Sequence, residues 1–386
     1  RRMSTPIGKA HPDPPPELSG RPVIGDAVRA TPGPLYQAAS SGDLAAVQGI
    51  IQSKSEDVNG SEMFCPLIIA AARGHSDIVQ ALLWAEAKTE IVDSSAFTPL
   101  IVAVHAGHLL VVEKLLISRA DRENPGEEGG MSPLAVAASC GHKPIAQVLI
   151  TNGASVNATD RKGKTPLFYA AENGKTEVAS LLVSKSDTEV NKTDYSGRTP
   201  LAVAVSKSWP EMVKLLLANR ANKELADKSG WTPLALACSA GDKAIVTILL
   251  DAGADIDKGG SSGETPLLIA VSKNNVEIVR LLLSRGADKD KCDNSGCTPT
   301  IAACRAGSKE LFGILFRAGA NVNRATNTEG EAAIHSAVHG GYKELVELVL
   351  LSGADKDLGT ANGTTPLILA CEDGNIPLVE MLLAKG

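Results

Sequence analysis

The stretch GWTPLALACSAGDKAIVTILLDAGADIDKGG, residues 230 to 260, contains a complete folding instruction. Gly230 permits a tight turn, Thr232 is placed to cap the backbone N–H groups of a new helix, and Pro233 suits the first helical position, where its missing N–H costs nothing. A short helix is predicted over PLALACSA, ended by Gly241. A second follows, carrying Ile245, Val246, Ile248, Leu249 and Leu250, an apolar stripe too wide for one partner. Gly253 stops it, and a polar turn leads onward. Neither helix buries its apolar face alone, so the unit needs neighbours of its own kind.

The neighbours are present. The segments AFTPLIVAVHAGH, GKTPLFYAAENGK, GRTPLAVAVSKSW, GETPLLIAVSKNN and GTTPLILACEDGN repeat the same pattern. Pro66, Pro99, Pro133, Pro166, Pro200, Pro233, Pro266, Pro299, Ala333 and Pro366 follow one another at steps of 33 or 34 residues. A degenerate first copy starts at Pro34, which makes eleven. The spacing predicts an all-α solenoid of stacked helix-turn-helix repeats, with hairpin-like connecting turns and nearest-neighbour stability.

This pattern resembles the ankyrin repeat family, whose 33-residue period and T-P-L-H-x-A signature it follows over roughly residues 34 to 386. Gly74-His75, Gly107-His108 and Gly141-His142 close first helices, and GAD follows second helices at 253, 286 and 353. Departures are local. The motif histidine survives as His335, Arg119 and Arg220 replace the glycine of GAD, and NPGEEGG before Met131 reads as an insertion.

Composition agrees with small, closely packed helices. Of 386 residues, 44% are hydrophobic but only 3% aromatic, so leucine, isoleucine, valine and alanine must build the core. The formal charge of −6, without a lysine or arginine block, argues against nucleic acid as the ligand. No apolar run is long enough to insert in a membrane. Seven cysteines, an odd number, fit a reducing intracellular compartment, the cytoplasm or an organelle such as a plastid or mitochondrion.

The two ends differ from the repeats. Residues 1 to 33 hold seven of the 21 prolines and no apolar periodicity, as expected of an extended arm lying on a partner or on the chain's own array. The opening Arg1-Arg2-Met3 fits either a removed leader or a longer polypeptide. The first copy carries Gln37, Ser40, Ser41 and Asp43, polar as an outer cap should be. The last copy stops at MLLAKG. This predicts that Leu378, Val379, Leu382 and Leu383 lack a neighbour, to be supplied by further chain or an ordered partner.

The sequence contains no catalytic constellation, and no metal or cofactor motif. NGKTEV at 173 to 178 lacks the earlier glycine of a phosphate loop. Cys238, Cys304 and Cys371 take a small buried slot on first helices, whereas Cys292 and Cys297 are expected in an exposed turn. With no histidine near them, a zinc site is not expected. His75, His108 and His142 read as corner hydrogen-bonding residues.

By the family resemblance, turn tips and first helices line a concave groove whose variable residues select a protein partner. The position before the motif threonine reads Phe64, Phe97, Met131, Lys164, Arg198, Trp231, Glu264, Cys297, Glu331 and Thr364. Phe64, Phe97 and Met131 would form an apolar row of roughly 20 Å if helix pairs lie about 10 Å apart, and aromatic and arginine side chains are the commonest anchors. Arg73, His105, Lys207 and Arg305 on first helices, with Glu172, Asn173 and Lys273, would form the polar rim. The expected function is a non-enzymatic protein-protein interaction scaffold, a subunit of a larger assembly. The alternative is a regulatory module of a longer enzyme or channel.

Overall fold

The computed structural model describes residues 31–61, 63–126 and 130–385, so the expected extended arm lies outside the described residues up to residue 30. The chain divides into two compact units, Arg1–Glu128 and Gly129–Gly386. Their boundary falls within the NPGEEGG insertion.

Among the described residues there are 22 helices and no strand. The first unit holds α1 (Pro34–Ser41) paired with α2 (Leu44–Ser53), α3 (Pro66–Arg73) with α4 (Ser76–Trp84), and α5 (Pro99–Ala106) with α6 (Leu109–Ile117). The second unit begins with α7 (Pro133–Cys140) and α8 (Lys143–Thr151), α9 (Pro166–Glu172) and α10 (Thr176–Val183), α11 (Pro200–Ser206) and α12 (Pro210–Ala218), and α13 (Pro233–Ala240) and α14 (Lys243–Asp251). It continues with α15 (Pro266–Ser272) and α16 (Val276–Ser284), α17 (Pro299–Arg305) and α18 (Lys309–Arg317), α19 (Ala333–His339) and α20 (Lys343–Leu351), and α21 (Pro366–Glu372) and α22 (Ile376–Ala384). Within each unit first helices pack on first helices and second on second, giving two layers with the core between them.

Such short helices are marginal alone, so the sequence starts and stops each one explicitly. Thr232 Oγ1 accepts from Ala235 N at 3.2 Å, Pro233 takes the first helical position, and Gly241 ends α13 at φ 76°. In α14, Ile245, Val246 and Leu249 are wholly buried, while Ile248 and Leu250 are half-buried.

Turns are fixed by an aspartate in each of several repeats. Asp227 Oδ1 accepts from Ser229 N and Trp231 N, and Asp227 N donates to Trp231 O at 3.1 Å, which gives the connection its hairpin-like form. Neighbouring tips then join, Lys228 N donating to Ser196 O at 3.1 Å and Asn327 N to Ser295 O at 2.8 Å. A Cβ at Gly296 would lie 2.5 Å from Asn327 N, so this tip needs glycine for the close approach as well as for its φ of 85°.

The corner histidines are half-buried rather than buried, and His75 and His108 each reach one repeat back to a helix end that water still touches. His75 Nε2 lies 3.4 Å from Ser40 O, and His108 Nε2 3.1 Å from Ala72 O. At the first repeat Gln37, Ser41 and Asp43 are exposed, but Ser40 is half-buried.

The last repeat differs from the sequence expectation. Leu378 and Leu382 are buried, since that face of α22 packs on α20 and α21. Leu383 is open as the sequence expectation had it and Val379 is half-buried; Ile368 and Ile376 are also open, together with Cys371, which was expected to be buried. Cys238 and Cys304 do fill the small slot, with a following repeat over them.

Candidate protein-interaction surface

In the first unit a polar side chain of each turn holds the tip backbone, Ser61 Oγ accepting from Phe64 N at 3.2 Å. Phe97 N donates to Asp93 Oδ1 at 2.9 Å, and Phe97 is half-buried. Phe64, also half-buried, meets Tyr36 edge to face with centroids 5.3 Å apart. Tyr36, Glu56 and Phe64 line a cavity of about 150 Å3. Arg73 and His105 are exposed in the last turns of α3 and α5. Met131 belongs to the second unit, so the expected apolar row is divided between the two.

In the second unit Met131 and Trp231 are half-buried, and Lys207 and Arg305 are exposed. Trp231, one of the variable tip residues, is not among the exposed tryptophans. The open ones are Trp84, 79% exposed at the end of α4, and Trp209, 42% exposed at the start of α12.

Lys164 and Arg198, placed by the sequence in the variable row, both have partners within the chain. Lys164 is buried, its Nζ 2.7 Å from Glu172 Oε2 and 5.1 Å from the Phe168 ring centroid. Arg198 donates to Asp194 Oδ2 through Nε at 2.9 Å and Nη2 at 2.7 Å, and its guanidinium lies 5.7 Å from the same ring. Tyr169 donates to Asp160 Oδ2 at 2.6 Å, and burial, with that bond, pushes its phenol well above the ordinary range. Between 160 and 198 this face is therefore an ordered, internally neutralised polar and aromatic plate.

Further along, Glu264, Leu268, Ser272, Asp293, Cys297, Ala302, Arg305 and Ala306 line a cavity of about 290 Å3. Cys297, expected to be an exposed thiol, is 6% exposed, because the turn folds it over the start of α17. Burial pushes this thiol up in pKa, with Arg305 opposing. Cys292 is half-buried beside Arg324 Nη2 at 3.6 Å, and both thiols are free. Arg305 Nη2 is held by Glu331 Oε2 at 3.3 Å.

Sequence reasoning missed the partners of these side chains. Glu172 follows Lys164 by eight residues, a spacing tied to no helical or strand period, and Asp194 was not singled out. It also missed Trp84 and its counterpart one repeat later, Ile117, 81% exposed at the end of α6. Among the described residues no helix is long and apolar enough to cross a membrane.

A family profile for ankyrin repeats matches the chain in five consecutive segments, at 35–125, 114–194, 186–260, 257–326 and 314–386. Among curated proteins, a transient receptor potential cation channel, subfamily A member 1, of Drosophila melanogaster is 43% identical over 56 residues, covering 14% of this chain and 5% of that protein. The B-cell lymphoma 3 protein homolog of Mus musculus is 43% identical over 61 residues, 16% of this chain and 14% of that protein. The matches thus span a small part of either relative. Among solved structures, the ankyrin repeat domain of Bcl-3, described as a unique member of the IkappaB protein family, is similar with a TM-score of 0.53. It shares 33% identity and covers 58% of this chain and 100% of its own.

Proposed function

The chain belongs to the ankyrin repeat family, a protein-interaction module, and from that premise we propose that it is a non-enzymatic scaffold which grips a protein partner through its tips and first helices, as a subunit of a larger assembly. The observation that carries this reading is the contrast between positions. The capping threonine, the proline and the tip aspartate recur, while the residue before the threonine runs from phenylalanine through lysine, arginine and tryptophan to glutamate. A framework that repeats while one surface position varies suits a face read by a partner.

The partner is a protein. Half-buried Phe97 and Trp231 supply anchors, and the exposed Arg73, His105, Lys207 and Arg305 supply a polar rim. Replacing Phe97 and Trp231 together by alanine is expected to lower crosslinked partner recovery at least about tenfold, the equivalent of about 1.4 kcal/mol. Far-UV circular dichroism should not change. Full recovery by a folded double variant would remove the groove assignment.

A second reading is favoured by the match to the cation channel, that the array regulates a channel or enzyme carried on the same polypeptide. A full-length transcript with no such segment would rule it out.

A further inference from the structure

The three repeats of the first unit carry an exposed ladder at the ends of their second helices. Trp84 closes α4 and Ile117 closes α6, both open to solvent. Ile51, Leu83 and Leu116, which share one repeat position, are half-buried beside them. The fold does not require apolar side chains there. At the place of Trp84 and Ile117 the next six repeats have Thr151, Ser184, Ala218, Asp251, Ser284 and Arg317.

Just beyond, each repeat of this unit adds a charge. Lys54, Glu86 and Arg119 occupy equivalent places, all exposed, at φ of 51°, 64° and 64°, where left-handed backbone favours glycine. Glycine holds that place in later repeats, at Gly153, Gly253, Gly286, Gly319 and Gly353. Among the described residues Lys54, Glu86 and Arg119 have no ion-pair partner. The unit thus presents positive, negative and positive charge in order, one per repeat and each next to an apolar side chain. At helix spacings of about 10 Å the ladder is about 20 Å long.

The complement stands in the same chain, before its first helix. Past Arg29, the charges running back from Thr31 are Asp26, Arg21 and Glu17, with Pro22, Val23 and Ile24 beside the arginine and Leu18 beside the glutamate. Leu35 N donates to Glu56 Oε2 at 3.0 Å, and Thr31, Gly33 and Glu56 line one cavity, so the chain enters α1 beside the turn that follows Lys54. Five residues back from Thr31 to Asp26 reach at most about 18 Å, and nine more to Glu17 at most about 32 Å. That is enough for Lys54 and then for the whole ladder.

We propose that residues 17 to 26 dock along this ladder of their own chain. Asp26 meets Lys54, Arg21 meets Glu86 and Glu17 meets Arg119, with Pro22 and its apolar neighbours over Trp84 and Leu18 over Ile117. Attachment at Thr31 sets the direction. It also holds the segment at an effective concentration in the millimolar range, so exposed ion pairs too weak to bind a separate peptide suffice. The ladder belongs to the second-helix layer, so the inference does not rest on the partner reading of the tips and first helices.

The test uses the full chain. Carbodiimide should join the Asp26 carboxyl to the Lys54 amine as an amide, the reagent leaving as its urea, in peptides mapped by mass spectrometry. In a mixture of unlabelled and 15N-labelled chains, that crosslink should pair peptides of like label only. Hydroxyl-radical oxidation of Trp84, referred to Trp209 in the second unit, should rise at least about threefold when Asp26→Lys and Arg21→Glu are made together. Adding Lys54→Glu and Glu86→Lys to that variant should restore the protection, which a general loosening of the chain would not. Absence of the Asp26 to Lys54 crosslink, crosslinks of mixed label, Trp84 oxidation unmoved by the first pair of reversals, or no recovery with the second would each overturn the docking. Mixed label would assign the ladder to the segment of a second copy.

Discussion

His335 stands three residues after Ala332, where most repeats have a capping threonine and this one has no hydroxyl. Its ring takes over the cap. Nδ1 accepts from Ala332 N at 3.2 Å and Nε2 donates to Leu358 O at 2.9 Å, with the side chain wholly buried. The two contacts call for the neutral tautomer with its proton on Nε2, because a protonated ring would aim a second N–H at the N–H of Ala332. Burial lowers the pKa of His335 from its usual value, with the Leu358 carbonyl opposing. A base whose folded pKa is depressed takes up its proton more readily unfolded. The fold is therefore at full strength above the ordinary histidine value of about 6.5 and weakens as pH falls below it toward the folded value. Between pH 7.5 and 5.5 the urea midpoint of the native chain is expected to drop more than that of His335→Asn. Parallel pH dependences would show that the ring carries no such coupling.

At the scale of the element, most second helices end in the left-handed region whether or not glycine is there. Gly253, Gly286 and Gly353 hold φ of 76°, 89° and 90°, but Arg119 and Arg220 are held at 64° and 63°. Left-handed backbone costs a residue with a Cβ about 1–2 kcal/mol, and glycine returns about 0.5–1 of that through the freedom of its unfolded chain. Arg220→Gly is therefore expected to raise stability by about 0.5–1 kcal/mol, read from chemical denaturation, and Gly253→Ala to lower it by a similar amount. No gain in the first would mean that neighbouring contacts already absorb the strain. The same elements show what the sequence could reveal. Helix starts at the motif prolines, the corner glycines and the left-handed ends were all legible, because each is decided within four or five residues by caps and φ. The environments of tip side chains were not. Cys297 is sealed by the fold of its turn onto α17, and Lys164 is claimed by a glutamate eight residues on. Those outcomes are set by packing between turn and helix, which the repeat period does not encode.

At the scale of the whole molecule, a repeat buries its first helix mainly by lending it to the next repeat, so one side chain is a core residue or a surface residue according to its place in the array. The position two after the motif proline makes the comparison within the second unit. Ala235, Leu268 and Ile301 there are 1%, 2% and 0% exposed, with a following repeat present, while Ile368 in the last repeat is 44% exposed. The local sequence is nearly the same, PTIAAC against PLILAC. Truncating Ile301 to alanine removes buried methyl groups and opens a cavity between α17 and α19, a loss of about 2–5 kcal/mol. The same change at Ile368 forfeits only partial burial and leaves no enclosed void, about 1 kcal/mol. Urea unfolding of the two single variants, each against the unaltered chain, is expected to give losses differing at least about twofold, with Ile301→Ala the larger. Equal losses would mean that burial of this position comes from within its own repeat, and that the nearest-neighbour account of the array's stability is wrong.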